Sequence, residues 1–140
     1  PHVVRRRIAS DGSVSTFHPV FEKQVIDLET AEAVTDILVR VVEEGPTKAK
    51  VPGYRIAGKT GTAQIPIPGG YHPDDTIATF VGFGPVPDPE VVVLVKLDRP
   101  KSSEWASNTA APTFSRLMEQ LMTVLGVPPS VGELAAEVGP

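Results

Sequence analysis

The strongest chemical signal in the chain is a glycine-rich run that begins at Gly58 and reads G-K-T-G-T-A-Q. Lys59 places one cation beside the hydroxyls of Thr60 and Thr62, and Gly58 and Gly61 are too small to keep a ligand off the backbone. An ammonium and two hydroxyls suit a carboxylate, and a strand amide can stabilise a developing oxyanion. The run can therefore form one side of an acyl-transfer site for a peptide that ends in a carboxylate.

The alternation of side chains along a strand limits how these groups can act together. Lys59 and Gly61 would point to one face and Thr60 and Thr62 to the other, so no single face presents lysine with threonine. A ligand added along the strand's edge could still reach both kinds of group. The alternative is a strand packed under another element, with Lys59 extending to water. Periodicity alone does not decide between the two.

The chain contains no activated nucleophile for such chemistry. None of its serines is followed three positions later by lysine, no Ser-x-Asn occurs, and cysteine is absent. Acyl transfer needs an activated nucleophile, and none of these serines has a lysine at that spacing to act as its base. The histidines, His2, His18 and His72, lack the spacing and acidic neighbours of a metal site, so we expect no metal and no cofactor.

The residues of this glycine-rich run also match the sequence motif of a different enzyme class. Residues 53–60 satisfy the phosphate-binding pattern G-x-x-x-x-G-K-[ST], and Asp98 after an apolar strand imitates the aspartate that holds magnesium. That mechanism requires a helix that begins at the lysine. Gly61, Pro66 and Pro68 oppose such a helix, so a P-loop nucleotidase is only a remote alternative.

Composition narrows the remaining classes. With 140 residues, 41% of them hydrophobic, the chain can bury a single core of ordinary size. The net charge is −4 without a basic stripe, so no nucleic acid partner is expected. No apolar run approaches the roughly 20 residues that span a bilayer, so we expect any membrane anchor to lie outside this chain.

Periodicity and turn residues predict an α+β fold in which helices flank an antiparallel sheet. Strands are predicted at residues 3–8, 14–17, 54–64, 77–83 and 90–97. Helices are predicted at residues 29–44 and from Pro112 to Gly126. The prolines and glycines of residues 65–70 predict a loop that runs to about Thr76. The last two strands both look interior, and at least one edge of the sheet needs a covering partner.

Two apolar stripes are expected to face the core. The lone tryptophan, Trp105, is expected to pack under its loop, and contact with a ligand or partner is the alternative. In the first helix the stripe consists of Val34, Ile37, Leu38, Val41 and Val42. In the last helix it consists of Phe114, Leu117, Met118, Leu121 and Leu125.

The K-T-G tripeptide and its surroundings resemble the class B penicillin-binding proteins. K-T-G is the third signature of penicillin-binding proteins and serine β-lactamases, alongside S-x-x-K and S-x-N. More specific are the runs YRIAGKTGTAQ, TFVGFGP, PDP and APTF, which start at residues 54, 79, 87 and 111. The resemblance covers nearly all of residues 1–129. It implies the C-terminal half of a transpeptidase domain there, with the penicillin-binding protein and serine β-lactamase-like fold, and a tail over residues 130–140.

The resemblance implies part of a D,D-transpeptidase that crosslinks peptidoglycan, with D-Ala-D-Ala stem peptides and β-lactams as ligands. Lys59 would be a catalytic residue, and Thr60, Gly61 and Thr62 would bind the substrate. The backbone N–H of Thr62 would form half of the oxyanion hole. Because S-x-x-K and S-x-N precede K-T-G in the family and are absent here, this chain alone is expected to be inactive.

The resemblance also implies partners and a location. The partners would be the missing N-terminal half of the same domain and the cell-wall synthesis machinery. The location would be the extracytoplasmic face of the bacterial plasma membrane, reached through an anchor outside this chain. A noncatalytic, transpeptidase-like binding or scaffolding domain fits the same sequence and remains the alternative.

Overall fold

The computed structural model describes residues 4–20 and 23–130. In chain order the elements are β1 (Arg6–Ile8), β2 (Val14–Thr16), α1 (Leu28–Glu43), β3 (Ala57–Ile67), β4 (Gly70–Gly84), β5 (Val91–Asp98) and α2 (Ala110–Leu125). β1 and β2 form an antiparallel ribbon, and the second sheet has the antiparallel order β3-β4-β5. The predicted α+β fold is confirmed. Three parts of the predictions lie outside the described residues: His2, residue 3 at the start of the predicted opening strand, and residues 131–140 of the predicted tail.

α2 covers one face of the sheet. Phe80 of β4 and Val93 of β5 point to this face and join the buried core with Phe114 and Met118 of α2. The Phe80 and Phe114 ring centroids are 4.6 Å apart, an aromatic contact that adds to the burial of both rings. This packing fixes the sheet's position relative to α2.

α1 packs on the opposite face, at the start of β3. Val39 of α1 lies in a small buried cluster with Ala57 of β3 and Val86, and Phe83 of β4 packs against that cluster. Ala57 and Phe83 are paired across β3 and β4, so they share the face opposite to Phe80. The two helices therefore flank the sheet as predicted.

Both helices end where their sequences indicate. The Asp27 carboxylate caps α1 by accepting a hydrogen bond from the Thr30 amide at 2.7 Å. Hydrogen bonds from the Thr30 side chain and then its backbone hold the pKa of Asp27 below its usual value. α2 contains Pro112 in its first turn and is closed by Gly126, whose φ of 67° is left-handed. Both predicted signals of the final helix are confirmed.

The predicted apolar stripes are only partly right. In α1 the buried residues are Val39 and Val42, whereas Val34 and Ile37 are exposed. The described residues therefore leave a second apolar side of α1 uncovered. In α2, Phe114 and Met118 are buried as predicted and Met122 is buried too, but Leu117 and Leu125 are exposed.

Residues 65–76 form a hairpin, so the predicted loop is wrong. β3 continues to Ile67, β4 begins at Gly70, and the ladder shifts register between Gln64 and Pro66. An irregularity of this kind accommodates a proline, which has no N–H to donate. Pro68 and Gly69 make the turn, where Gly69 has a φ of +87° that suits the third position of a type II turn.

β5 is an edge strand of the described sheet, so the prediction that both last strands are interior is wrong for it. Val93 and Val95 are buried under α2, but Val92 and Leu94 on the other face are 72% and 65% exposed. Hydrophobicity on both faces suggested an interior strand, but only one face is covered by the residues described.

Candidate functional site

The predicted site residues lie together on β3. Lys59, Thr60, Gly61 and Thr62 pair in register with Val81 to Ala78 of β4. In the described sheet β3 pairs with β4 only, so its other edge is available for an added strand. A phosphate-binding loop would need a helix starting at Lys59, and the strand excludes that interpretation.

The lysine and threonine side chains meet, although they start on opposite faces of the strand. The Lys59 ammonium donates hydrogen bonds to the Thr60 hydroxyl at 3.1 Å and to the Thr60 carbonyl at 3.2 Å. Because β4 blocks one side of β3, the lysine must reach Thr60 around the free edge. The two side chains therefore still start on opposite faces of the strand, and they meet because the flexible lysine stem bends around its edge.

The Lys59 ammonium is also free of carboxylates. Within residues 4–20 and 23–130, Lys59 takes part in no ion pair, and its side chain is exposed. An ammonium group can donate three hydrogen bonds, and two of the three from Lys59 go to Thr60. Its positive charge therefore remains available for a ligand anion at the edge of β3.

The Thr62 hydroxyl is oriented by backbone outside the strand. Its Oγ1 accepts a hydrogen bond from the Ala106 amide at 3.3 Å. A hydroxyl that accepts one bond keeps its own hydrogen to donate. The Thr62 hydroxyl is thus suited to donate toward a carboxylate at the exposed end of β3.

The two glycines have a packing role that the sequence interpretation did not assign. A Cβ at Gly58 would lie 2.7 Å from the Phe80 ring and 2.9 Å from the Val81 carbonyl oxygen. A Cβ at Gly61 would lie 2.5 Å from the Thr79 hydroxyl, which donates to the Gly61 carbonyl at 3.1 Å. The space beside each glycine is therefore filled by β4.

A loop between β5 and α2 borders the site, and sequence reasoning missed it. We call residues 99–109 the 99–109 loop. It contacts Thr62 through Ala106, and Thr76 of β4 through Glu104, whose carbonyl accepts from the Thr76 hydroxyl at 2.9 Å. No periodic pattern could reveal these contacts, because each joins a strand to a loop at least 28 residues away.

Trp105 lies between these two contacts and is 58% exposed, so the prediction that it packs under its loop is wrong. Its backbone is held by the loop itself. The Trp105 amide donates to the Ser103 hydroxyl at 3.2 Å, and its carbonyl accepts from the Thr109 hydroxyl at 2.9 Å. The backbone is fastened while the ring remains accessible.

Charges at the start of the loop are paired. Asp75 of β4 accepts from Arg99 Nε at 3.1 Å and lies 3.9 Å from Lys101 Nζ. His72 Nδ1 accepts the Asp75 amide at 2.9 Å, so this histidine serves the hairpin backbone. In the part of the chain that the structure describes, no three His, Asp or Glu residues could hold a metal ion, and no helix could cross a membrane.

The family profile described as the penicillin binding protein transpeptidase domain matches residues 1–119. The chain belongs to this family. The resemblance to class B penicillin-binding proteins inferred from the sequence is confirmed. Curated relatives include stage V sporulation protein D of Bacillus subtilis, 40% identical over 83% of this chain and 18% of the relative. Another is the probable peptidoglycan D,D-transpeptidase PenA of Neisseria flavescens, 35% identical over 77% of this chain and 28% of the relative.

Solved structures show the same fold. Penicillin-binding protein 3 from Mycobacterium tuberculosis, complexed with ampicillin, matches with a TM-score of 0.76 and 34% identity over 93% of this chain and 31% of that chain. The transpeptidase domain of Burkholderia pseudomallei penicillin-binding protein 3 matches with a TM-score of 0.72 and 33% identity over 84% of this chain and 37% of that chain. The chain thus spans well under half the length of these relatives, and it has the fold of a fragment of their transpeptidase domains.

Proposed function

We propose that this chain supplies the substrate-binding edge of a peptidoglycan D,D-transpeptidase whose nucleophilic serine lies outside it. The observation that carries the proposal is the grouping of donors on β3. The Lys59 ammonium lies 3.1 Å from the Thr60 hydroxyl. Two residues further along the strand, the Thr62 hydroxyl is oriented by the Ala106 amide. These donors suit the carboxylate of a peptide that lies along the edge.

Each residue has a definite role in the proposed reaction. Thr60 and Thr62 donate hydroxyl hydrogens to the terminal carboxylate of the D-Ala-D-Ala stem, and Lys59 supplies positive potential and assists proton transfer. The backbone N–H of Thr62 donates to the carbonyl oxygen as it gains negative charge. Gly61 allows Thr79 to pack beside it, which keeps this part of β3 in place.

The reaction itself is two successive acyl transfers. The serine oxygen bonds to the penultimate D-alanine carbonyl carbon while its proton moves to a base. The peptide C–N bond then breaks, and the terminal D-alanine leaves with a proton on its amine. A stem amine from a second strand attacks the acyl-serine, restores the serine hydroxyl and completes the crosslink. A β-lactam enters the first step and stays on the serine.

The proposed partners and location follow from the same assignment. The chain would contact the remainder of its transpeptidase domain and work with the cell-wall synthesis machinery. Peptidoglycan lies outside the plasma membrane, so the site would face the extracytoplasmic side of that membrane. We place the transpeptidase part at residues 1–129. At this proposed boundary the Ser130 amide donates to the Gly53 carbonyl at 2.8 Å.

The test is labelling with fluorescent penicillin followed by intact-mass and peptide analysis. This chain alone should form no adduct. The completed domain, by which we mean this chain together with the proposed N-terminal half of its transpeptidase domain, should carry one adduct on a serine outside this chain. Lys59→Ala should slow labelling of the completed domain by about 100-fold, the scale of a lost electrostatic contact in the transition state. Lys96→Ala, an exposed lysine on β5, is the matched control and should label at the wild-type rate.

Two results would contradict the proposal. A stoichiometric adduct on any serine of the isolated chain would show that the nucleophile is not external. A completed domain that folds but never labels would instead favour the noncatalytic, transpeptidase-like binding domain.

A further inference from the structure

Two threonines of the sheet fasten the 99–109 loop from the same side. Thr62 and Thr76 share a sheet face, because Thr62 pairs with Ala78 and Thr76 pairs with Gln64 across β3 and β4. The Thr76 hydroxyl donates to the Glu104 carbonyl at 2.9 Å, and the Thr62 hydroxyl accepts from the Ala106 amide at 3.3 Å. Positions 104 and 106 of the loop are therefore held by neighbouring hydroxyls.

Thr76 is placed to control this segment of the loop. It is a buried polar residue, 6% exposed, and its carbonyl also accepts the Arg99 amide at 2.9 Å. Arg99 has a φ of 51°, a left-handed conformation that is costly for a residue with a side chain. Thr76 thus holds the start of the loop in a strained conformation and holds its middle through Glu104.

We propose that Thr76 is a positioning residue for ligand binding at Thr62. By holding Glu104, it keeps the Ala106 amide against the Thr62 oxygen, so the Thr62 hydroxyl can present its hydrogen to the ligand carboxylate. Without that amide the hydroxyl could rotate to other acceptors and would lose its fixed direction. The inference rests on the proposed function, because it assumes that Thr62 binds the carboxylate.

The experiment measures the second-order rate of acylation of the completed domain by benzylpenicillin. Thr76→Val keeps the shape of the buried side chain and removes the hydroxyl, and the rate should fall by about three- to tenfold, the range of one net hydrogen bond. Thr76→Ser should restore the rate. Thr35→Val is the matched control, because its half-buried hydroxyl donates to the Ala31 carbonyl within α1, away from the site.

A double-mutant cycle separates positioning from a general structural effect. Thr62→Val should lower the rate, and adding Thr76→Val should cost nothing more, since the hydroxyl that Thr76 positions is already gone. Benzylpenicillin methyl ester, which lacks the charged carboxylate, should be less than about twofold slower with Thr76→Val than with wild type. A loss from altered folding would affect both probes equally.

The outcomes distinguish the inference from the proposal beneath it. A wild-type rate for Thr76→Val beside a slow Thr62→Val overturns the inference alone, as do fully additive losses or equal losses with the ester. A wild-type rate for Thr62→Val overturns the proposed role of Thr62 itself. If valine at position 76 prevents folding, Thr76→Ala removes the same hydroxyl with less bulk and should give the same slow rate.

Discussion

The described sheet ends in two edge strands, β3 and β5, that differ in chemistry. The exposed part of β3 carries Lys59, Thr62 and Gln64, whereas the exposed face of β5 carries Val92 and Leu94. Small polar donors beside unpaired backbone suit a short charged peptide. Adjacent exposed valine and leucine side chains instead suit contact with another protein surface.

The difference shows that exposure alone does not identify a functional edge. β4 joins the two strands, but each strand packs against a different helix: Val93 of β5 lies under α2, and Ala57 of β3 packs against Val39 of α1. The feature that makes β3 a candidate ligand edge is its set of directed donors, two of which are fixed by contacts at Thr60 and Ala106. Nothing comparable is present on β5 in the described residues.

The largest expected effect on stability comes from the buried glycine of β3. Gly58→Ala should lower the free energy of unfolding by about 3 kcal/mol, because the new Cβ meets the enclosed Phe80 ring and the Val81 carbonyl. Gly61→Ala should cost only about 1 kcal/mol, because only the Thr79 hydroxyl must move and lose its bond. Urea unfolding of both variants measures the difference. Equal losses of unfolding free energy would contradict the expectation that the Cβ contacts are harder to relieve at Gly58 than at Gly61.

The two faces of β5 give the next comparison. Val93→Ala should lower the free energy of unfolding by about 2 kcal/mol, since it leaves a cavity beneath α2. Val92→Ala, one residue away and exposed, should change it by less than about 0.5 kcal/mol in this chain. Thermal or urea unfolding separates the two cases. A large loss for Val92→Ala would show that the outer face of β5 is already covered.

The smallest effect is the pH dependence of the Asp27 cap of α1. This helix packs against β3 and not against β5. Hydrogen bonds from Thr30 lower the pKa of Asp27, so the ionised carboxylate stabilises the fold above the unfolded-state pKa. This contribution is lost as the pH falls through the lowered, folded-state pKa. Asp27→Asn still caps but does not titrate. Wild type should therefore be more stable than Asp27→Asn at pH 7, and this advantage should shrink as the pH falls from 7 through and below the ordinary carboxyl pKa of about 3.9. A constant difference across this range would contradict the assignment.

The sequence predicted those parts of the molecule that depend on local signals. Gly126 at the end of the last helix, Pro112 in its first turn and the glycine-rich strand are all recognisable without tertiary contacts. The hairpin at residues 65–70 was missed, because a proline at a ladder irregularity looks like a loop. The contact between Lys59 and Thr60 was missed for a different reason, since strand alternation ignores how far a flexible side chain can bend.

The surroundings of the site could not have been predicted from the sequence. Ala106 and Thr76 carry no motif, and their contacts with Thr62 and Glu104 depend on how the loop after β5 folds back over the sheet. Trp105 was expected to pack under its loop, but it is exposed, whereas its neighbour Ala106 is buried. Family resemblance located the functional strand, and tertiary structure revealed what orients it.

The central claim is that the edge of β3 grips the ligand's carboxylate while the serine comes from outside the chain. A crystal structure of the completed domain acylated by benzylpenicillin tests it most directly. The account predicts the penicillin carboxylate within hydrogen-bond distance, about 2.5 to 3.0 Å, of the Thr60 and Thr62 hydroxyls, with the acyl oxygen at the Thr62 amide. A carboxylate that points to solvent, or an acyl group bound away from β3, would contradict it.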